Sequence, residues 1–158
     1  MAKESDSEYE FRYLQRDDFD KGYLDQLSLL TVVGNVTKED FEKRFDEMYP
    51  SRQDVYKIVV IVERASNWIV GCGTIFFEKK FVRKLSIAGH LEDVNIDVSL
   101  KGKGLGMKLI KVLKEIGMLQ NCYKIILDCA DHNISFYELN GFKLKERCMC
   151  WYRNESRL

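Results

Sequence analysis

The sequence predicts an α/β fold with a mixed central sheet, and three observations support this. The predicted elements follow one another in the order β-α-α-β-β-β-α-β-α-β. Short turns join the early strands, whereas helices separate the later ones, so antiparallel and parallel pairing are both expected. A glycine-spaced loop also connects an apolar strand directly to a helix.

The composition is that of an ordinary globular domain. Of the 158 residues, 46% are hydrophobic and 12% aromatic, and 25 basic residues balance 25 acidic ones. A net charge of zero gives no support to non-specific binding of nucleic acid or anionic membranes, which needs a basic excess. We expect a disordered polar tail over residues 1–8 and a single domain over residues 9–158.

We expect neither a signal peptide nor a membrane span. The polar N-terminal residues lack the apolar region of a signal peptide, and no apolar stretch approaches the ~18–20 residues that cross a bilayer. Five cysteines, an odd number, favour reduced thiols and a cytoplasmic protein. The pair Cys148 and Cys150 has no second pair to complete a zinc site, so we expect no metal.

The first part of the chain predicts one strand and two helices. The first segment alternates apolar and polar residues, as a half-buried strand does. Apolar residues at helical spacing then follow an aspartate that can cap a helix, and a glycine ends this pattern. A second helix begins at a capping box and ends before the only proline. The predicted bounds are Tyr9–Leu14 for the strand, Asp17 or Asp18 to Gly34 for the first helix, and Thr37 to the residue before Pro50 for the second.

The rest of the chain predicts five strands and two helices. Two apolar runs joined by the turn-like residues 64–67 predict a hairpin. In the long helix, Leu109, Val112, Leu113 and Ile116 share the inward face. The predicted strands are Tyr56–Glu63, Trp68–Glu78, His90–Val98, Tyr123–Cys129 and Phe142–Tyr152, and the predicted helices are Met107–Gln120 and His132–Leu139.

The glycine-spaced loop, residues 101–106, predicts an anion site. Unpaired backbone N–H groups and the helix dipole both favour an anion at a helix N-terminus. The alternative is a tight turn in which Gly102 and Gly104 supply unusual φ angles. Met107 stands where the dinucleotide fingerprint requires its third glycine, and no Lys-Ser or Lys-Thr follows in the register of a P-loop. Nucleotide hydrolysis and hydride transfer are therefore poor hypotheses.

This loop resembles the acetyl-CoA motif of the GNAT N-acetyltransferase superfamily, which is usually written Arg/Gln-x-x-Gly-x-Gly/Ala. Lys101 stands where arginine or glutamine is usual, so the positive charge is kept. Further segments resemble the glucosamine-phosphate N-acetyltransferase family within that superfamily: Leu30–Gly34, Gly89–Val94, Asn121–Cys129, Asn133 with Phe136-Tyr137, and Gly141-Phe142. The resemblance implies a GNAT fold, with a mixed central sheet flanked by helices and a strand-loop-helix site for acetyl-CoA.

The resemblance also implies the reaction and the assembly. Acetyl-CoA would be the co-substrate and glucosamine 6-phosphate the acceptor, in a step that feeds UDP-N-acetylglucosamine synthesis. Members of the family form homodimers in which the C-terminal strand contributes across the interface. The aromatic and cysteine-containing residues 148–152 suit such a strand, and they would equally suit a strand in the core.

Particular residues receive roles from the same resemblance. Tyr137 would lie beside the CoA sulfur and assist departure of the thiolate, and Asp128 would hold the sugar and its amine. A backbone N–H between Val94 and Ile96 would hold the oxyanion. The implied cofactor-binding residues are Val94, Asn95, Ile96, Lys101, Gly102, Lys103, Gly104, Leu105, Gly106, Asn133 and Tyr137. The implied substrate-binding residues are Thr31, Lys80, Arg83, Glu92, Asp93, Asp128 and Arg153.

The residues themselves leave alternatives open. Asp128 ends an otherwise apolar strand, and it equally fits the N-cap of the next helix. Direct attack by the amine is favoured over a covalent acetyl-cysteine, because no cysteine has a clear basic partner in the sequence. Two rival functions remain: a GNAT enzyme with another amine acceptor, such as a protein or a polyamine, and a non-catalytic acyl-CoA-binding scaffold.

Overall fold

The computed structural model describes residues 8–49 and 55–153 of the chain. These residues group into two compact units, one ending at Leu127 and the other beginning at Asp128. Apart from Glu8, the predicted polar tail lies outside the described residues, and its disorder stays a prediction. The single-domain organisation also stays a prediction.

The first unit contains the predicted mixed sheet, with five strands among the described residues instead of the predicted six. Neighbouring strands follow the chain in the order β1-β2-β3-β4-β5, and all pairs are antiparallel except the parallel pair of β4 and β5. The short connections between the early strands and the long helical connection before β5 account for this change of direction. The strands are β1 (Tyr9–Tyr13), β2 (Tyr56–Glu63), β3 (Trp68–Lys79), β4 (Ile87–Ile96) and β5 (Cys122–Ile126).

Several predicted strand boundaries were wrong, and the largest shifts are in β4 and β5. β4 begins at Ile87 rather than at His90, because its pairing with β3 extends to Lys79. β5 ends at Ile126 rather than at Cys129, because its pairing with β4 ends there. Asp128 therefore follows the strand instead of belonging to it.

The helices differ from the prediction mainly at the start of the chain. A 3₁₀ turn, Asp18–Lys21, precedes α1 (Tyr23–Ser28), so the predicted continuous helix to Gly34 was wrong. Gly22 interrupts it with a φ of 85°, and a Cβ atom there would come within 2.4 Å of the Trp68 ring. The left-handed conformation and the approach of Trp68 both require glycine. The other helices are α2 (Lys38–Met48), α3 (Val82–Leu85), α4 (Leu105–Leu119) and α5 (Ile134–Leu139).

The predicted capping box at the start of α2 is confirmed. The Asp40 N–H donates to Thr37 Oγ1 at 3.2 Å, and the Thr37 N–H donates to Asp40 Oδ2 at 3.1 Å. This reciprocal pair satisfies two N–H groups that a helix leaves without intrahelical partners. The cap also directs the apolar side chain of Phe41 into the core.

Two apolar layers cover the sheet. One contains β2 and β3 residues together with Tyr23 of α1 and Phe41 of α2. The other includes α4, whose residues Leu109, Leu113 and Ile116 are buried as predicted, whereas Val112 is only half-buried. These layers fix α4, and with it the preceding loop, against the sheet.

The predicted C-terminal strand, Phe142–Tyr152, was wrong for the described chain. Residues 142–152 have no regular secondary structure, and Met149 and Trp151 are 95% and 86% exposed. A strand needs a neighbouring strand to complete its backbone hydrogen bonds, so an alternating sequence alone does not form one. Among the described residues, no helix is both long enough and apolar enough to cross a bilayer.

Candidate active site

About halfway along β4, its pairing with β5 ends and its register with β3 shifts. Its register with β3 shifts between Cys72 and Thr74, and Asp93 takes a left-handed φ of 51° at this bulge. The last residue pair between β4 and β5 is His90 with Ile126. Within the described residues, the segment Val94–Ile96 therefore has β3 on one side and no paired strand on the other. Backbone groups on such an unpaired side are available to a ligand.

The loop after β4 leads into the N-terminus of α4. Gly102 and Gly104 have φ values of 88° and 75°, so the tight turn proposed from the sequence is present. A Cβ atom at either glycine would meet nothing within 4 Å. The loop therefore presents its backbone to open space in front of a fifteen-residue helix. This geometry fits the approach of a pyrophosphate, because helix dipole and backbone N–H groups act together there.

The side chains of this loop divide into two groups. Leu105 is 3% exposed and belongs to the core, so only its backbone can contribute to a ligand site. The Lys103 ammonium donates to the Tyr9 hydroxyl at 2.8 Å and lies 5.2 Å from the centre of the Tyr9 ring. Lys103 therefore ties the loop to β1, while Lys101 remains exposed. The sequence pattern missed Tyr9, which lies 94 residues from Lys103.

Asn95 does not direct its side chain into the open space beside β4. Its Nδ2 donates to the backbone oxygen of Gln26 at 3.1 Å and to Gln26 Oε1 at 3.0 Å. The side chain therefore contacts α1, and the backbone of Asn95 lies opposite Cys72 of β3. The sequence analysis missed Gln26, although its place one turn after Tyr23 would have marked it as inward-facing.

The predicted substrate residues of β4 have different environments. Glu92 and Asp93 are both exposed. Desolvation by the surrounding protein raises the pKa of the Asp93 carboxyl group. Thr31, which follows α1, is exposed and lies in the irregular segment before α2.

A polar cluster that the sequence analysis missed lies where β3 meets β4. His90 Nε2 lies 2.9 Å from Glu78 Oε2, and the His90 ring stacks on Phe76 at 4.5 Å between centres. Lys80 forms an ion pair with the same carboxylate. The lysine and the histidine together lower the pKa of Glu78. The hairpin register places Phe76 opposite His90, and this pairing is the signal that could have revealed the cluster.

Arg83 lies in α3. Its guanidinium lies 5.1 Å from the centre of the Tyr123 ring, in cation–π geometry. Arg83, Lys84 and Leu85 all have left-handed φ values of 52° to 59°. Conformations of this kind are costly for residues with side chains and concentrate at functional sites.

The remaining predicted site residues belong to the second unit. Asp128 is exposed, and the 3₁₀ turn that follows it is preceded by Ala130 in the N-cap position, so the N-cap interpretation of Asp128 was wrong. Asn133 lies at the N-cap of α5, one helical turn before Tyr137. Arg153 is exposed at the end of the described residues.

Tyr137 is held by aromatic neighbours of the second unit. Its ring packs edge-on against Phe136 at 5.1 Å and against Phe142 at 5.9 Å. Burial, together with the nearby Cys129, raises the pKa of the Tyr137 hydroxyl. The hydroxyl therefore keeps its proton at neutral pH and can donate a hydrogen bond.

The cysteine environments disfavour a thiolate nucleophile. Burial raises the pKa of Cys72 to about 12. Cys148 lies with its sulfur 3.7 Å from that of Cys150, and this contact together with Asp128 raises its pKa to about 11. Both thiols stay protonated near neutral pH, which makes them poor nucleophiles. No group of three or more metal-ligating side chains occurs among the described residues.

Known proteins resemble this chain in sequence and in fold. The profile of the "Acetyltransferase (GNAT) family" matches residues 10–142. Glucosamine 6-phosphate N-acetyltransferase 1 of Dictyostelium discoideum is 43% identical over 145 residues, which cover 92% of this chain and 91% of that protein. The corresponding protein of Candida albicans is 39% identical, over 85% of this chain and 89% of the relative. The crystal structure of glucosamine-6-phosphate N-acetyltransferase from Arabidopsis thaliana superposes with a TM-score of 0.89 at 40% identity, covering 92% of this chain and 99% of that one.

Proposed function

Because the chain belongs to the GNAT acetyltransferase family, we propose that it transfers the acetyl group of acetyl-CoA to the amine of glucosamine 6-phosphate. The observation that carries this proposal is the identity of 39–43% with glucosamine 6-phosphate N-acetyltransferases over most of each chain. The open glycine loop at the N-terminus of α4 supports it, because it fits the pyrophosphate of CoA.

The chemistry is a direct attack of the amine on the thioester. A bond forms between the amine nitrogen and the acetyl carbon, the carbon–sulfur bond breaks, and the amine proton passes to water. A backbone N–H of Val94–Ile96, on the unpaired side of β4, stabilises the oxyanion. The Tyr137 hydroxyl donates a hydrogen bond to the departing thiolate. The high pKa values of Cys72 and Cys148 support a route without an acetyl-cysteine.

The acceptor is held by charge at its two ends. Glu92, Asp93 and Asp128 attract the amine end of the sugar through their carboxylates. Desolvation raises the pKa of the Asp93 carboxyl group, and a cation beside it would oppose that shift. Cations and a hydroxyl hold the phosphate end, because charge-assisted hydrogen bonds favour phosphate. The residues proposed for the phosphate are Thr31, Lys80, Arg83 and Arg153.

A comparison of acceptors tests the proposal. The purified protein with acetyl-CoA is expected to release CoA in the presence of glucosamine 6-phosphate, and much more slowly with glucosamine, a polyamine or a lysine peptide. The measurement is the rate of thiol release in a colorimetric assay. Release with the peptide or the polyamine alone would indicate another acceptor, and binding of acetyl-CoA without release in any mixture would indicate a scaffold.

The same activity has a place in metabolism. Its product, N-acetylglucosamine 6-phosphate, is a precursor for UDP-N-acetylglucosamine, and we place the protein in the cytoplasm with that pathway. The five cysteines, all free thiols in the structure, suit a reducing compartment.

We further propose that the protein is a homodimer in which residues 142–152 pair with the partner as a strand. The alternating sequence, the lack of strand structure in the single chain and the exposure of Met149 and Trp151 support this assembly. Trp151→Ser is expected to shift the protein from dimer to monomer in analytical ultracentrifugation. Val32→Ser, at an apolar side chain that is 89% exposed in the first unit, is the matched control and should leave the dimer intact. A wild-type monomer at micromolar concentration would contradict the assembly.

A further inference from the structure

Gln26 is a buried polar residue that joins two parts of the candidate active site. It lies on α1 with 3% of its surface exposed. Both its backbone oxygen and its Oε1 accept hydrogen bonds from Asn95 Nδ2, at 3.1 and 3.0 Å. A buried amide is costly to leave unpaired, so this contact is specific rather than incidental.

Asn95, the partner of Gln26, lies in a part of β4 that pairs with β3 but not with β5. The pairing of β4 with β5 ends at the pair His90 and Ile126, before Asn95 is reached. The bulge at Asp93 also shifts the register with β3 just before Asn95. In the described residues, the hydrogen bonds from Asn95 to α1 replace part of the restraint that a second neighbouring strand would give.

We propose that Gln26 is a positioning residue for acetyl transfer: it holds Asn95 so that the backbone of Val94–Ile96 keeps the position that stabilises the oxyanion. This inference rests on the proposed acetyltransferase function. Gln26 touches no reacting atom and acts only through Asn95. A donor displaced by about 1 Å loses much of its value in a transition state, because that stabilisation depends on fixed geometry.

The same contact fixes the end of α1. The Leu29 N–H donates to the Gln26 backbone oxygen, and the Thr31 N–H donates to the oxygen of Leu27. The segment that carries Thr31 toward the acceptor therefore starts from the helix turn that also holds β4. Gln26 links the strand proposed for the thioester to the segment proposed for the sugar phosphate.

A positioning role for Gln26 predicts different effects on kcat and on the KM for acetyl-CoA. The oxyanion exists only after attack, so a misplaced backbone donor lowers kcat and leaves the KM for acetyl-CoA nearly unchanged. The glycine loop holds the CoA pyrophosphate independently of Gln26. A general loss of structure would instead reduce the folded fraction and the thermal midpoint without this separation of kcat from KM.

The test is a double-mutant cycle with Gln26→Met and Asn95→Ala, measured as kcat and KM under saturating glucosamine 6-phosphate. Each single variant is expected to lower kcat about 10-fold with a change of less than about twofold in the KM for acetyl-CoA. Both variants remove the hydrogen bond between Asn95 Nδ2 and Gln26 Oε1, and Asn95→Ala also removes the one to the Gln26 backbone oxygen. The double variant should therefore be no slower than Asn95→Ala alone. Tyr23→Phe, which removes a buried hydroxyl one turn earlier on α1, is the matched control and should keep the wild-type kcat.

Several outcomes would overturn the inference. A kcat of Gln26→Met within twofold of the wild type would do so, as would multiplicative losses in the double variant. If Gln26→Met does not fold, Asn95→Ala alone must show the loss of kcat at constant KM. A wild-type protein without turnover would instead contradict the proposed function, so the two failures are distinguishable.

Discussion

Replacing Tyr137 with phenylalanine is expected to lower kcat about 100-fold while leaving the affinity for acetyl-CoA within about twofold. The substitution keeps the ring that packs against Phe136 and Phe142, and it removes only the hydroxyl. A CoA-like thiol has a pKa of roughly 8.5 and tyrosine one near 10, so full proton transfer is uphill by about 2 kcal/mol. Burial raises the pKa of Tyr137 further, so its contribution is a hydrogen bond to the departing thiolate rather than complete proton transfer.

The measurement pairs steady-state kinetics with calorimetric titration of acetyl-CoA. Tyr13→Phe, at a tyrosine that is exposed on β1, controls for loss of a hydroxyl and should leave both constants unchanged. Because the pKa of Tyr137 is raised, its hydroxyl stays protonated through the neutral range, and the wild type should show no loss of kcat from this group below about pH 10. An unchanged kcat in Tyr137→Phe would remove the residue from the mechanism.

Replacing Asp18 with alanine is expected to lower the free energy of unfolding by about 3 kcal/mol. The carboxylate is fully buried, and it accepts hydrogen bonds from Arg12 at 2.7 and 2.9 Å, from Lys21 at 3.0 Å and from the Gln15 N–H at 2.8 Å. Its removal leaves two cations and a backbone donor without this acceptor. Urea unfolding of both proteins at pH 7 measures the difference.

The pH dependence of this difference follows from the pKa of Asp18. Desolvation opposes ionisation, but the hydrogen bonds from Arg12, Gln15 and Lys21 outweigh it and hold the pKa below its usual value. The stabilisation is therefore complete above the unfolded pKa of roughly 3.9 and is lost as the pH falls through the folded pKa. The difference between wild type and Asp18→Ala should stay constant from about pH 8 to pH 5 and shrink below about pH 4.

Asp17→Ala is the matched control for this prediction. Asp17 lies next in the chain and also forms an ion pair with Lys21, at 3.1 Å, but its side chain is 73% exposed. An exposed pair contributes little, so a change of less than about 0.5 kcal/mol is expected. Equal losses in the two variants, or a difference for Asp18→Ala that grows as the pH falls, would contradict the assignment of its stabilisation to a buried ionised carboxylate.

Local sequence patterns were sufficient for much of the sheet and for the loop. The bounds of β2 were predicted without error, because a short run rich in isoleucine and valine that ends at turn residues favours a strand. The capping box of α2 is likewise a contact between residues three positions apart. Gly102 and Gly104 take the positive φ angles that their spacing before a helix suggested.

The patterns failed where distant residues decide the local conformation. The helical spacing around Gly22 gave no sign of a break, because the break depends on Trp68, 46 positions later in the chain, lying against that glycine. The alternation in residues 142–152 predicted a strand, but alternation cannot supply the neighbouring strand that pairing needs. The interpretation of Asp128 as a cap failed because the following turn begins later, after Ala130.

The sequence by itself indicated the mixed sheet and the strand-loop-helix unit, because these depend on short-range periodicity and on turn residues. It indicated the family through a resemblance of several segments between Leu30 and Phe142. Only the tertiary structure decided which side chains serve the site and which support it. It turned Asn95 toward Gln26, tied Lys103 to Tyr9 and placed His90 against Glu78. Each of these contacts joins residues on different elements, and the hydrogen bonds that satisfy their polar groups exist only once those elements have packed.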